Sequence, residues 1–154
     1  MPAPPGVRIA PILLARTGEF VVDGVTVTHP GVRAALWAGL RRGPEGWRVD
    51  ALGGTRAVRV EDVPYFVRGV RAGGDGDGGA LALEMVDGAT EPVRAPLRIS
   101  RDGVLYAPVR GELARFLRPA QAQVAPFLRG SEGTGWEIVA GENVMPVLPL
   151  EEAA

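Results

Sequence analysis

The chain has no cysteine and no lysine, one histidine and two serines among its 154 residues, and each scarcity removes a class of chemistry. Without cysteine there is no disulfide frame, no thiolate nucleophile and no thiolate zinc site, so stability rests on burial and backbone hydrogen bonding. Ser100 and Ser131 stand outside any nucleophile-elbow pattern. His29, between Thr28 and Pro30, lacks the partner groups of a catalytic or metal-binding imidazole and reads as a capping or surface residue. Long apolar runs are missing too. The one near the start, Ile9 to Ala15, is interrupted by Pro11 and falls far short of the ~20 residues a membrane helix needs. No charged leader with a cleavage site precedes it, so the chain reads as soluble and cytoplasmic. A net charge of −1 excludes a polybasic protein that binds nucleic acid by bulk charge, and any anion site must be local.

What is present is ordinary globular composition, 46% hydrophobic and 23% charged, punctuated by 22 glycines and 14 prolines. That mixture predicts one compact domain, or two small halves, built from short elements and many turns. Residues 1 to 7 read as a loose lead-in to a strand from Val7 to Leu14. Asp23-Gly24, between two β-branched runs, accepts the positive φ values of a type I′ turn and predicts a hairpin. Thr28 then caps a helix carrying Val32, Ala35, Leu36 and Leu40 on one face, with Arg41 and Arg42 in its last turn. Trp47 to Leu52 and Thr55 to Glu61 form a hairpin around Gly53-Gly54, and Tyr65 to Val70 is a further strand.

Ala80 to Val86 alternates as a strand that Asp87-Gly88 turns back, and Pro92 to Ile99, broken by Pro96, suits a sheet edge. Val104 to Val109 follows Asp102-Gly103. Leu113, Phe116, Leu117, Ala120, Val124, Phe127 and Leu128 repeat at helical spacing, with Pro119 and Pro126 expected to kink or split the helix. A last hairpin runs from Trp136 to Leu148 around Gly141-Glu142-Asn143. The fold class is therefore α+β, in two similar sheet-plus-helix halves at 1–72 and 73–154. The order Asp23-Gly24-Val25, strand, helix, Gly46-Trp47 recurs as Asp102-Gly103-Val104, strand, helix, Gly135-Trp136. The spacings are 22 and 32 residues, so a duplication in that alignment needs a longer second helix and loop; chance similarity of turn residues is the alternative.

Val60-Glu61-Asp62-Val63-Pro64-Tyr65 resembles the V-E-D-A-P-F core of a bacterial family, domain of unknown function 1285. Asp23 to Val27 and Val32 to Leu36 upstream agree with it in order. Downstream, Pro96-Leu97-Arg98, Tyr106, Val109-Arg110 and Gly111 to Arg118 are similar to its P-L-R, P-Y-V-x-V-R and G-L-E-A-R-L-x-R motifs. The likeness spans about residues 18 to 148. The chain departs from it at Glu112-Leu113, where the order is inverted, after Arg110, where one residue is missing, and at Trp136-Glu137, where the family has Trp-Ser. The resemblance implies a divergent member with a duplicated α+β core, a second half like pleckstrin-homology folds, a role in signal transduction, and a protein or nucleic-acid ligand between the halves.

Gly74-x-Gly76-x-x-Gly79 matches a dinucleotide pattern in letters, but a strand follows where a helix N-terminus is required, and Asp75 and Asp77 would repel a pyrophosphate. The same aspartates lack the fifth- and twelfth-position ligands of a calcium loop. Glu61 and Asp62 are adjacent and on a strand face opposite ways, so they do not share one proton-transfer site. Asp62 also suits capping of the Val63-Pro64 turn. Trp47 and Trp136 read as core plugs.

Charge is segregated: residues 93–130 carry +5 and the flanking 75–92 and 131–154 carry −5 each. All the basic residues are arginine, which suits fork-like pairing to acids and also follows from GC-rich coding. The expected function is non-enzymatic binding or regulation, without cofactor or metal, at a seam contributed by Glu61, Asp62, Tyr65, Arg98, Tyr106, Arg110, Arg115 and Arg118. Arg115 and Arg118 are expected on one helix face. The occupant is a protein segment or other acidic ligand. The alternatives are nucleic acid held by the same arginines, with Tyr106 or Trp47 stacking on bases, and an enzyme using Asp62 or Glu112. Neutralisation of the arginines by the chain's own acids is the competing outcome.

Overall fold

Two-residue turns with positive φ set the architecture. Asp23 and Gly24 have φ of 52° and 80°, Leu52 and Gly53 55° and 82°, and Arg110 and Gly111 55° and 80°, each pair closing a tight antiparallel hairpin. The computed structural model describes residues 10–73, 80–131 and 133–150. The Gly74 to Gly79 pattern, and the start of the first expected strand, lie outside the described residues.

The chain divides into two units, 1–62 and 63–154. The first contains β1 (Ile12–Leu14), β2 (Phe20–Val22), β3 (Val25–Thr26), α1 (Pro30–Gly39), β4 (Leu40–Gly43), β5 (Gly46–Ala51) and β6 (Gly54–Val60). Its sheet has the order β3-β2-β1-β6-β5-β4, antiparallel except for the central β1–β6 pair, which is parallel. The helix cap falls to His29 rather than to Thr28. The residue before a proline is biased to extended backbone, and His29 (φ −65°, ψ 122°) turns its Nδ1 to accept from Gly31 N at 3.0 Å and Val32 N at 3.3 Å. The helix also ends earlier than its apolar stripe suggests, so Arg41 and Arg42 lie on β4. Gly39 packs so tightly on β5 that a Cβ there would run into the Asp50 carbonyl. Phe20 and Trp37, both buried, meet edge to face at 4.7 Å.

The second unit contains β7 (Tyr65–Ala72), β8 (Leu81–Met85), β9 (Thr90–Pro92), β10 (Arg98–Ile99), β11 (Leu105–Val109), β12 (Glu112–Phe116), α2 (Arg118–Val124), a 3-10 turn (Ala125–Phe127), β13 (Leu128–Ser131), β14 (Gly135–Ala140) and β15 (Asn143–Pro149). Nine strands follow the order β13-β14-β15-β10-β11-β12-β7-β8-β9. Strand β7, which a boundary at 72/73 places in the first half, belongs to this sheet. Ala120 and Val124 of α2 are fully buried among Val67, Leu83, Leu105, Ala107, Ala114 and Phe116.

Three expectations are corrected here. The helix from Leu113 to Leu128 is a strand, a seven-residue helix, a 3-10 turn and a second strand. Residues 113–116 alternate in burial with period two, and Pro119 and Pro126 each sit at the start of a new helical segment. Of the stretch from Pro92 to Ile99, only Pro92, the last residue of β9, lies on an edge strand; β10 is interior, between β15 and β11. The turn expected at Gly53-Gly54 is Leu52-Gly53.

The duplication is present, one hairpin out of the expected alignment. The order β12-β11-β10-β15-β14-β13, with α2 between β12 and β13, repeats β3-β2-β1-β6-β5-β4 with α1 between β3 and β4. The central pair β10–β15 is again parallel. Asp23-Gly24 therefore corresponds to Arg110-Gly111, and Gly111 to Gly135 spans 24 residues against 22 from Gly24 to Gly46, so no longer helix is needed. Trp47 on β5 and Trp136 on β14 are equivalent, as expected. Strands β7, β8 and β9 are an addition at the β12 edge.

Candidate functional site

Strand β11 alternates: Leu105, Ala107 and Val109 join the hydrophobic cluster, and Tyr106 points to the opposite face. Its two neighbours pair so that Arg98 on β10 and Arg115 on β12 both stand directly opposite Tyr106. Directly opposed residues share a face, so the pairing builds a row, Arg98–Tyr106–Arg115, across three strands. Arg115 Nη1 donates to Tyr106 Oη at 3.1 Å, and its guanidinium carbon lies 5.8 Å from the ring centroid. Tyr106 is only 4% exposed. Arg98 is half-buried, and its Nε is buried with no hydrogen-bond partner among the described residues. A charged donor in that condition is costly and is relieved when an acceptor arrives from outside.

Arg110 is differently placed. From the β11–β12 turn its Nη1 donates to Asp87 Oδ2 at 2.8 Å and its Nε to Glu91 Oε1 at 3.0 Å, with the guanidinium 5.0 Å from the Tyr65 ring centroid. Burial alone would push the Asp87 carboxyl up. The Arg110 hydrogen bond, the Ala89 N–H and the Arg110 charge outweigh it and hold Asp87 below the usual carboxylate range. The same contacts, led by the Asp87 bond, raise Arg110. Arg110 is thus neutralised by the acidic stretch that precedes it. Arg129 is likewise held by Glu137.

Arg118 is exposed at the first position of α2, and because Arg115 is on a strand, the two do not share a helix face. Glu61 and Asp62 end the first unit. Glu61 accepts Arg16 Nε at 2.6 Å and Arg16 N at 3.2 Å, and these bonds lower its carboxyl. Nothing in the sequence marks Arg16, since its partner is 45 residues away and only the pairing of β1 with β6 joins them. Asp62 is exposed, and Glu112 opens β12, half-buried. Trp47 and Trp136 are half-buried, Trp136 against the cluster and Trp47 under Arg42 at 5.8 Å.

Among the described residues no three metal-ligating side chains gather, and no helix is long and apolar enough to cross a membrane. The residues brought together are therefore Arg98, Tyr106 and Arg115 in one row, and Tyr65 with Arg110 in a closed acid-paired cluster.

No protein-family model and no curated protein matches the chain. Its fold is similar to the crystal structure of a DUF1285 family protein from Silicibacter pomeroyi, with a TM-score of 0.66 and 19% identity, covering 89% of this chain and 79% of that one. A DUF1285 family protein from Shewanella baltica aligns with a TM-score of 0.49 and 18% identity, covering 70% of this chain and 84% of that one. The family that the string Val60 to Tyr65 resembles is thus the family whose fold the chain has.

Proposed function

We propose that the chain is a non-enzymatic binding protein that receives an acidic protein segment on the Arg98–Tyr106–Arg115 row. The observation that carries this reading is Arg98 Nε, a buried cationic donor with no acceptor among the described residues. A carboxylate bound at the Arg98 guanidinium gains a charge-assisted, fork-like contact once the side chain turns its buried Nε outward to it. Arg110 drops out of the expected binding set, because Asp87 and Glu91 already occupy it. A protein acid is favoured over nucleic acid because Tyr106, 4% exposed and engaged by Arg115, offers no open ring for a base. The finer attributes, a pleckstrin-homology-like second unit and a place in cytoplasmic signal transduction, belong to this reading through the family resemblance alone.

Titration with a glutamate-rich peptide, followed by the Nε–H signals of the arginines, tests it. We expect the Arg98 and Arg115 signals to move saturably, and Arg98→Gln to weaken binding about tenfold, the worth of one charge-assisted bond. Unmoved signals at millimolar peptide overturn the proposal. A single-stranded oligonucleotide that binds instead, with affinity falling steeply as salt rises, supports the nucleic-acid alternative.

A further inference from the structure

The first unit holds a cleft of about 420 Å³ between α1 and the sheet, within the span of about 300–1,000 Å³ typical of small-ligand sites. Ile12, Val22, Leu36 and Val49 form apolar walls, and Leu52 and Arg56 line its margin. Two features there are not explained by folding alone. Leu52 is 71% exposed at the β5–β6 turn with φ of 55°, a conformation that glycine or asparagine adopts more readily than leucine. Its side chain does nothing for the turn but adds apolar surface to the cleft. Arg56 donates through Nε to Ala10 O at 2.9 Å and through Nη2 to Asp23 Oδ1 at 2.8 Å, and its Nη1 has no acceptor among the described residues. The Arg56 side chain is three-quarters buried, whereas Asp23, 68% exposed, is largely screened by water.

We propose that this cleft binds a small amphiphile with an aliphatic body and a single carboxylate. The body packs against the apolar walls and under Leu52, and the carboxylate takes the open Nη1 of Arg56. Charge complementarity selects this ligand class: an apolar chamber with one cationic donor at its mouth favours a monoanion over a neutral or dianionic guest. The site lies in the first unit and stands or falls apart from the arginine row of the second.

Decanoate, kept below its micelle-forming concentration, is the probe, with decanol as the neutral control. Amide shifts of the cleft residues and calorimetry are the readouts on the full chain. Decanoate is expected to bind saturably and about tenfold more tightly than decanol. Arg56→Gln should bring decanoate down to the decanol level while leaving decanol unchanged. Asp23→Asn, which keeps the turn's backbone preference, should tighten decanoate a few-fold by removing a competing acid. Leu52→Asn should weaken both ligands. Equal binding of decanoate and decanol to the unmodified chain, or no saturable shift of the cleft residues, overturns the proposal. So does binding that emerges only after residues 1–9 are removed, which would assign the cleft to the chain's own lead-in.

Discussion

Gln123 Oε1 accepts the backbone N–H of Val70 at 2.7 Å, tying α2 to β7 just past the point where the β7–β8 register slips between Val67 and Gly69. Gly69 makes room for this tie: a Cβ there would stand 3.0 Å from Gln123 Oε1 and 3.1 Å from Glu84 Oε2. Gln121, two residues earlier and on the other side of the helix, accepts Leu105 N at 2.8 Å and donates to Gly103 O at 3.2 Å. A seven-residue helix is too short to hold itself, so side chain–to–backbone bonds of this kind keep it registered on the sheet.

Replacing Gln123 by leucine keeps the volume but leaves the Val70 N–H without its acceptor. The expected cost is about 1–3 kcal/mol, the penalty for a buried donor left unmade. Urea unfolding should show a lower midpoint with an unchanged slope.

The Asp87–Arg110 pair makes a signed pH prediction. Asp87 is held below its ordinary value of 3.8 in the folded chain, so its contribution is fully present above that value and is lost as pH falls through the lower folded one. Asp87→Asn, which keeps the acceptor for Ala89 N, should cost about 1 kcal/mol at neutral pH. The gap between the two proteins should close below about pH 4, where the unfolded aspartate takes up its proton. A gap that persists at pH 2 would mean the aspartate acts through shape and not charge.

Leu52 carries a stability cost that a substitution can recover. Leu52→Gly or Leu52→Asn should raise stability by about 1 kcal/mol, since the left-handed conformation penalises a leucine by roughly 1–2 kcal/mol. Thermal unfolding of the free protein measures it. The same change is expected to harm decanoate binding, a trade between stability and function at one residue.

Phe20 is 1% exposed and meets Trp37 edge to face. Phe20→Ala should cost about 3–5 kcal/mol and remove the near-ultraviolet dichroism that a fixed Trp37 produces. Phe20→Leu, which leaves a smaller cavity, should cost less and still fold.

Much of the fold is legible because turn chemistry is local. Asp23-Gly24 and Asp87-Gly88 announce their hairpins through residues that tolerate positive φ, and the structure has both. Leu113 to Phe116 misleads because apolar residues three apart fit a helix, while the burial that decides for a strand comes from neighbours far along the chain. The repeat is visible in the letters but out of step, since Asp-Gly spells the β2–β3 turn in the first unit and the β10–β11 turn in the second, whereas Arg-Gly spells the true counterpart. The arginine block is visible as a charge excess. Its division is not: Asp87 and Glu91 reach Arg110 from 23 and 19 residues away, and Arg98 meets Tyr106 only through strand register.

In each module the outgoing strand runs beside the incoming one and in the same direction, β6 along β1 and β15 along β10. The polypeptide consequently exits at the end of the sheet opposite to the one where it came in. A module wired that way can be copied in tandem without a return crossing, and new segments can be spliced between copies without re-threading either. The excursion through β7, β8 and β9, which falls between the copies in the chain and attaches at an outer strand in space, has the form such a splice would take.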